Sequence, residues 1–423
     1  MQNYKFSNQD KIILLTIILI SLGYYIKYNF QGYVWREKID FNAFYYATKA
    51  YFAGLNPYDH KNVLKMKLQD NILDYAEDFP LPPFTLFFFR LFNFLYIRYA
   101  QLIWLIFCNT LFFCAIYFIY KYIYDKFKDE QKKKVFALIF LFFSFHYYGA
   151  TVWENALGNL NNILFFLLVA TFFLYKKQKN LLAGICFGLA CAIKIIPIVL
   201  IPFFLFKKKI KVIIYSLSIF LLLLTAPFII TGDKQVYNDW INHGLTNVYA
   251  SHARPFNQSI KGFFMRIFSP KSFYTLPTKT IELITLITAA IIGIAFLIIA
   301  FKYRTYSELD DELYSIFVLY IIFASSRSWE TWYMFLILPF NLQFIFLLKF
   351  SDKNFNIYTL LFFIAGFILV AVDFPYQDHR LLWGFKSIFT NLKLYGACCL
   401  TISFLMSIFS YSKNCINSAL GQE

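Results

Sequence analysis

Apolar stretches close to 20 residues long recur from one end of the chain to the other, and they limit its folding more than any other feature. The clearest are residues 12–30, 100–123, 135–150, 158–175, 210–231, 280–301, 312–325, 332–349, 355–372 and 391–411. About 20 apolar residues are what a helix needs to cross the hydrocarbon core of a bilayer. In lipid only helices and closed barrels satisfy their own backbone, and these runs lack the two-residue alternation of barrel strands. The expectation is an all-α polytopic membrane protein. Composition agrees, with 59% hydrophobic, 22% aromatic and only 15% charged residues, against about 25% charged in soluble domains.

The charge pattern sets a topology. The net charge of +16 gathers in short loops between the apolar runs, as the positive-inside rule arranges it, and does not point to nucleic acid. Lys126 to Lys134, Lys176 to Lys179, Lys207 to Lys211, Lys302 to Arg304 and Lys349 to Lys353 are therefore expected on the cytoplasmic side. The first run follows Lys11, lacks a small-residue cleavage site and reads as an uncleaved first span. Residues 181–206 are apolar but lie between two lysine clusters, so a single crossing would strand one cluster outside. A hairpin breaking at Lys194-Ile195-Ile196-Pro197 resolves this, since proline cannot continue the helical bonding. It carries Lys194 deep into the membrane, facing protein or water rather than lipid.

Residues 80–97 pose the same parity problem, answered by a non-crossing helix that enters at Pro82-Pro83. Both termini are then cytoplasmic, and two long outer loops remain, 31–99 and 232–277. The chain reads as one membrane domain, residues 1–423, without internal repeats. Seven cysteines form no CxxC pair or Cys/His cluster, so neither a disulfide framework nor a zinc site is indicated.

Residues with chemical potential cluster in the outer loops. In DFNAFYYATKAYFAGLNPYD (40–59), Phe41, Phe44, Tyr45, Thr48, Tyr51 and Phe52 fall on one side of an amphipathic surface helix. Gly54 can stop it and Asn56-Pro57 marks a turn. Asp40, at its start, is either an N-cap or a base held at the membrane boundary. In WENALGNLNN (153–162), Glu154, Asn155, Asn159 and Asn162 either meet the hydroxyls of a polar ligand or serve as caps and interhelical glue. Lys194 is costly inside an apolar segment and by default functional, with snorkelling as the alternative.

The stretch SHARPFNQSIKGFFMR (251–266) puts His252, Arg254, Asn257, Gln258, Ser259, Lys261 and Arg266 outside, where positive charge suits an anionic headgroup or phosphate. In SSRSWETWY (325–333), Arg327 could hold a phosphate, and Trp329 or Trp332 could stack on a sugar or sit in the aromatic belt. Asp373, Asp378, His379 and Arg380 form a weaker outer group. No Walker A pattern, GxGxxG after a strand, HExxH or GxSxG is present. The residues describe a carboxylate with cations on the outer face and no nucleotide fold.

Taken in order, these motifs resemble glycosyltransferase family 87, the polyprenyl-phosphate-dependent mannosyltransferase-like proteins of the C-type (GT-C) membrane fold. The resemblance runs from about residue 40 to 340. It rests on Asp40 with Tyr45, Ala50, Gly54, Asn56, Pro57 and Tyr58, on Pro82-Pro83, and on Gly158-Asn159. It continues through Ala183-Gly184 to Lys194 and Pro197, Asn257-Gln258-Ser259, and Ser328-Trp329 before a span ending at Pro339. Where many relatives carry histidines after the Ser-Trp pair, this chain has Glu330, Thr331 and Trp332.

The resemblance implies about 10–13 membrane helices with a juxtamembrane helix in the first outer loop. It implies an inverting hexosyltransferase that moves a sugar, mannose in the family, from a polyprenyl phosphate to a lipid-linked or cell-envelope glycan acceptor. Asp40 would be the general base. Lys194, Arg254 and Arg327 are the candidates for the donor phosphate. Tyr45, Glu154, Asn159, Asn257, Gln258, Trp329 and Glu330 are the candidates for sugar or acceptor. The expected partners are these substrates and membrane lipid, with no cofactor, metal or nucleic acid, in the plasma or inner membrane. A transporter or flippase of lipid-linked sugars, or a non-catalytic scaffold, are the alternatives; the first would call for inverted repeats and a polar path through the membrane.

Overall fold

A computed structural model describes residues 8–35, 38–72, 78–144, 148–244, 253–268, 275–350, 356–372 and 384–420. Among these residues there are eighteen α-helices and no β-strand, so the all-α expectation holds. In chain order they are α1 (Asn8–Trp35), α2 (Ile39–Phe52), α3 (His60–Gln69), α4 (Phe84–Arg90), α5 (Ile97–Lys126) and α6 (Gln131–Ser144). Next come α7 (Tyr148–Leu157), α8 (Asn161–Lys176), α9 (Asn180–Ile193), α10 (Ile201–Phe206), α11 (Ile210–Thr231) and α12 (Gln235–Asp239). The last six are α13 (Ile260–Ile267), α14 (Thr278–Lys302), α15 (Asp310–Ala324), α16 (Ile337–Phe350), α17 (Ile357–Ala371) and α18 (Leu392–Leu420). Five described segments are long and apolar enough to cross a membrane: α5, α11, α14, the 3-10 turn and helix of residues 330–350, and residues 392–413 of α18. Among the described residues the apolar runs read from the sequence lie mostly in helices, the run 135–150 being shared between α6 and α7, and α11 has the bounds expected for it, so this is a multi-pass membrane protein.

One end of the helical bundle is fixed by charge. Asp310 and Asp311 open α15, where a helix N-terminus favours carboxylates. Lys207, just past α10, pairs with Asp310 at 2.6 Å, and Lys176, the last residue of α8, pairs with Asp311 at 2.8 Å. Tyr122 and Tyr175 donate to the same two carboxylates at 2.6 and 2.7 Å. Lys176 and Lys207 flank the 181–206 segment, and both reach one acidic pair. That segment therefore turns back on itself, as charge parity required. Its outgoing limb is α9, and its return limb is a 3-10 turn (Ile196–Leu200) followed by α10. Fourteen residues give α9 a length of about 21 Å, short of the ~30 Å hydrocarbon core.

Nearly every residue of α8 and α15 is buried, whereas α11 and α14 expose most of their apolar surface, which must meet lipid. Helices in lipid associate through close packing rather than apolar burial, and small residues permit it. Gly184 and Gly188 of α9 do this against α11. A Cβ on Gly184 would lie 2.5 Å from Tyr215 Cβ, and one on Gly188 would lie 2.5 Å from Ser216 O.

At the end of the bundle away from the lysines, α2, α3 and α4 form a cover. Gly54, with φ +77°, follows the end of α2, and Asn56 closes the turn by accepting from Tyr58 N at 2.8 Å. Lys49 of α2 pairs with Asp70 beyond α3 at 2.7 Å. Pro82-Pro83 opens α4, and its carbonyl at Pro82 accepts from Thr85 Oγ1 at 2.7 Å. The first outer loop differs from its expected form in one respect. Asn42, Ala43, Tyr46 and Ala47 are buried along with Phe41, Phe44, Tyr45 and Thr48, while Phe52 is exposed. Thus α2 is wrapped on both sides by α3, α4, α5 and α7 instead of floating with one face in lipid.

Candidate active site

Asp40 lies in the first turn of α2, one residue inside the helix, and Lys38 is the N-cap. Its charge suits the positive end of the helix. Asp40 Oδ2 accepts from Asn159 Nδ2 at 2.6 Å, across 119 residues of chain.

Asn159 is delivered there by the way α7 ends. Gly158 takes φ +70°, the left-handed conformation that closes a helix C-terminus, and both Gly158 N and Asn159 N donate to Glu154 O, at 3.0 and 3.2 Å. Lys38 supplies the cation, with Nζ donating to Asn155 O at 2.9 Å and Ala156 O at 3.4 Å. Burial holds the Lys38 ammonium well below the usual lysine range, at about 8. Trp104 Nε1 donates to Gly158 O at 2.8 Å. No side chain fits at position 158: its Cβ would stand 2.9 Å from Phe41 Cβ and 3.3 Å from Lys38 Cβ. The start of α2 rests directly on the end of α7.

The same turn leads into α8. Glu154 is fully buried and reaches past the turn to the first residues of α8. Its Oε1 accepts from Asn161 N at 2.6 Å and Asn162 N at 3.2 Å, and its Oε2 from Asn161 Nδ2 at 2.8 Å. Of the two roles open to Glu154, ligand contact and capping, these bonds are those of a cap. Asn161 uses its other face on the hairpin, where Lys194 Nζ donates to Asn161 Oδ1 at 2.8 Å. Lys194 ends α9 in extended conformation, so its side chain leaves the helix axis and lies over the Trp332 ring, 4.5 Å from the centroid. Thr331 Oγ1 accepts from Asn161 Nδ2 at 3.1 Å. Glu154, Asp40 and Arg327 all lie within coulombic reach of the Lys194 ammonium. The carboxylate and two of the three candidate cations thus gather at one end of the bundle.

A second seam brings in the later residues. Asn257 and Trp329 form an antiparallel bridge, Gln258 N donates to Ser328 O at 2.9 Å, and Glu330 N donates to Phe256 O at 3.1 Å. Asn257 Nδ2 donates to Ser326 O at 3.3 Å, while Gln258 Nε2 donates to Pro255 O and Thr390 O, both at 2.7 Å. Arg266, fully buried, donates to Arg254 O at 2.7 Å and Asn257 O at 2.9 Å and bonds Asn391. Asn257, Gln258 and Arg266 therefore hold loops together. Arg254 is exposed on the rim, Trp329 is half-buried and Glu330 is buried. Tyr45 of α2 is buried, its hydroxyl donating to Leu95 O at 2.9 Å. His252, Asp373, Asp378, His379 and Arg380 lie outside the described residues.

Asn161 and Thr331 join the cluster although the sequence did not single them out for it, and of the two tryptophans considered for stacking it is Trp332 that lies under Lys194. Asn161 sits inside the polar run 153–162, at the head of a span, where a buried amide has few reasons to be; that was the available signal. Among the described residues no group of three or more His, Cys, Asp or Glu side chains comes together to hold a metal ion.

Chemically, the arrangement can do two things at once. A carboxylate can take a proton from a hydroxyl, and neighbouring cations can receive an anionic leaving group. A sequence model described as Glycosyltransferase family 87 matches residues 79–326, more than half of the chain. The match includes Glu154, Asn159, Lys194, Arg254, Asn257 and Gln258, while Asp40 precedes it. No curated protein and no solved structure matches the chain.

Proposed function

The chain belongs to glycosyltransferase family 87, and from that premise we propose that this membrane glycosyltransferase moves a hexose, mannose in the first instance, from a polyprenyl phosphate to a lipid-linked or envelope glycan acceptor with inversion. The observation that carries this reading is the meeting of Asp40 with the Lys194 and Arg327 pair at one end of the bundle. Asp40 takes the acceptor proton as that oxygen attacks the anomeric carbon. The bond from that carbon to the phosphate oxygen breaks with its electrons going to the phosphate, and Lys194 and Arg327 stabilise the charge that grows there. Arg254, on the rim, meets the same phosphate from outside, and Trp329 and Glu330 contact the sugar.

A lipid-borne donor suits this location. The hairpin apex lies about 21 Å from the lysine end, so Lys194 stands at membrane depth, where a polyprenyl chain can bring its phosphate sideways from lipid. The positive-inside rule puts the lysine end in the cytoplasm and the site on the outer face of the plasma or inner membrane.

The test is a donor panel. Membranes containing the protein are incubated with polyprenyl phosphates carrying radiolabelled mannose, glucose or galactose, and alongside with the matching nucleotide sugars. Transfer from a polyprenyl phosphate without nucleotide sugar supports the reading. Transfer from nucleotide sugar alone, in membranes unable to make the lipid-linked donor, overturns it.

A further inference from the structure

We infer that Asn159 is a positioning residue that aims the Asp40 carboxylate, a role that rests on reading Asp40 as the base. The bond between them is 2.6 Å, from Asn159 Nδ2 to Asp40 Oδ2. Its direction follows from a second bond. Leu160 N donates to Asn159 Oδ1 at 2.7 Å. A backbone N–H can only donate, so the atom facing it is the amide oxygen, and the amide nitrogen must then face Asp40. The Asn159 side chain is thus held at both ends.

Its backbone is held as well. Asn159 N donates to Glu154 O, and Trp104 Nε1 clamps the preceding carbonyl. Asp40 hangs from the first turn of α2, whose start is pressed on Gly158. The base and the residue that orients it therefore come from two elements locked by a contact too tight for one methyl group. A rigid donor on Oδ2 fixes the rotation of the carboxylate and thereby the direction of its second oxygen. When the acceptor O–H bond breaks, the proton settles on that second oxygen, and the amide continues to donate to Oδ2. The amide takes up no proton, so the step balances on Asp40 alone. Glu154 cannot readily replace Asp40, because its oxygens receive the first N–H groups of α8.

The test follows Asp40 itself, independently of any sugar. The full chain is treated with dicyclohexylcarbodiimide, which reacts with protonated carboxyls in apolar surroundings, and labelling of Asp40 is followed by mass spectrometry across pH. Glu154 from α7 and Lys194 from the hairpin lie within coulombic reach of Asp40, Lys38 is the N-cap of the same helix, and all three stay in place in the variants. Loss of one donor to a carboxylate makes it easier to protonate, so Asn159→Ala should raise the midpoint of labelling by about one pH unit. In the transfer assay kcat should fall about tenfold to a hundredfold with KM unchanged, and Asn159→Gln should recover part of both. An unmoved midpoint in Asn159→Ala, with Asp40→Asn inactive, overturns the positioning role alone. Full transfer by Asp40→Asn overturns the base reading, and the catalytic meaning of the contact with it.

Discussion

Glu154 and Asn161 are joined twice, backbone N–H to Oε1 at 2.6 Å and side-chain amide to Oε2 at 2.8 Å, on opposite sides of the glycine that ends one helix before the next begins. That carboxylate holds the first turn of α8, and through Asn161 it holds Lys194. Glu154→Gln can keep an oxygen on the backbone N–H groups, but it then sets an NH2 group against the Asn161 Nδ2 donor. It should cost about 1–3 kcal/mol, read as a lower thermal midpoint in detergent, and should weaken transfer in the protein that remains folded. An unchanged midpoint would show that α8 does not need this cap.

Gly158→Ala tests the contact between α2 and α7. The added methyl meets Phe41 Cβ at 2.9 Å in a left-handed backbone, a strain of about 1–3 kcal/mol. Relief by moving α2 would carry Asp40 away from Asn159, so transfer should drop further than stability. Equal activity in the two proteins would mean that the Asp40 position tolerates that shift.

The hairpin has its own test. Gln178 and Lys209 lie before and after it, and Lys209 Nζ donates to Gln178 Oε1 at 2.5 Å. Cysteines placed singly at the two positions should react with a membrane-impermeant maleimide from the same side. Labelling from opposite sides would convert the hairpin into a crossing and reverse the topology beyond it.

Much of this architecture is legible in the sequence. Hydropathy located the spans, because lipid demands uninterrupted apolar helices, and residues 210–231 became α11 unchanged. Charge parity found the hairpin, because Lys176 and Lys207 had to share a side. What stayed hidden depends on distant chain. The wrapping of α2 needs α3 and α4 laid over its outer face, which no local periodicity reports. Trp332 rather than Trp329 meets Lys194, because residues 330–336 wind as a 3-10 helix. The pairing of 256–258 with 328–330 joins segments about 70 residues apart. Glu154 was legible as a polar residue worth noticing, but its partner at Asn161 depends on the tight reversal at Gly158.

Lys38 gives a pH signature. Its folded ammonium ionises near 8 because burial disfavours the charge, whereas an unfolded lysine keeps its proton to about 10.4. Between these values the unfolded state binds the extra proton, so the Lys38 contribution to stability improves as pH rises through that window. The thermal midpoint of the wild type should gain on that of Lys38→Met between pH 8 and about 10. A constant gap would mean that Lys38 is solvated in the folded protein.

The central claim is that Asp40 removes the acceptor proton. The most direct measurement compares Asp40→Asn with wild type in membranes, at matched amounts of inserted protein, using the polyprenyl-phosphate sugar that the donor panel identifies. The variant keeps the size of the side chain but loses the base. Transfer should fall by at least about a hundredfold, with donor binding retained through Lys194 and Arg327. Wild-type transfer by Asp40→Asn would contradict the account.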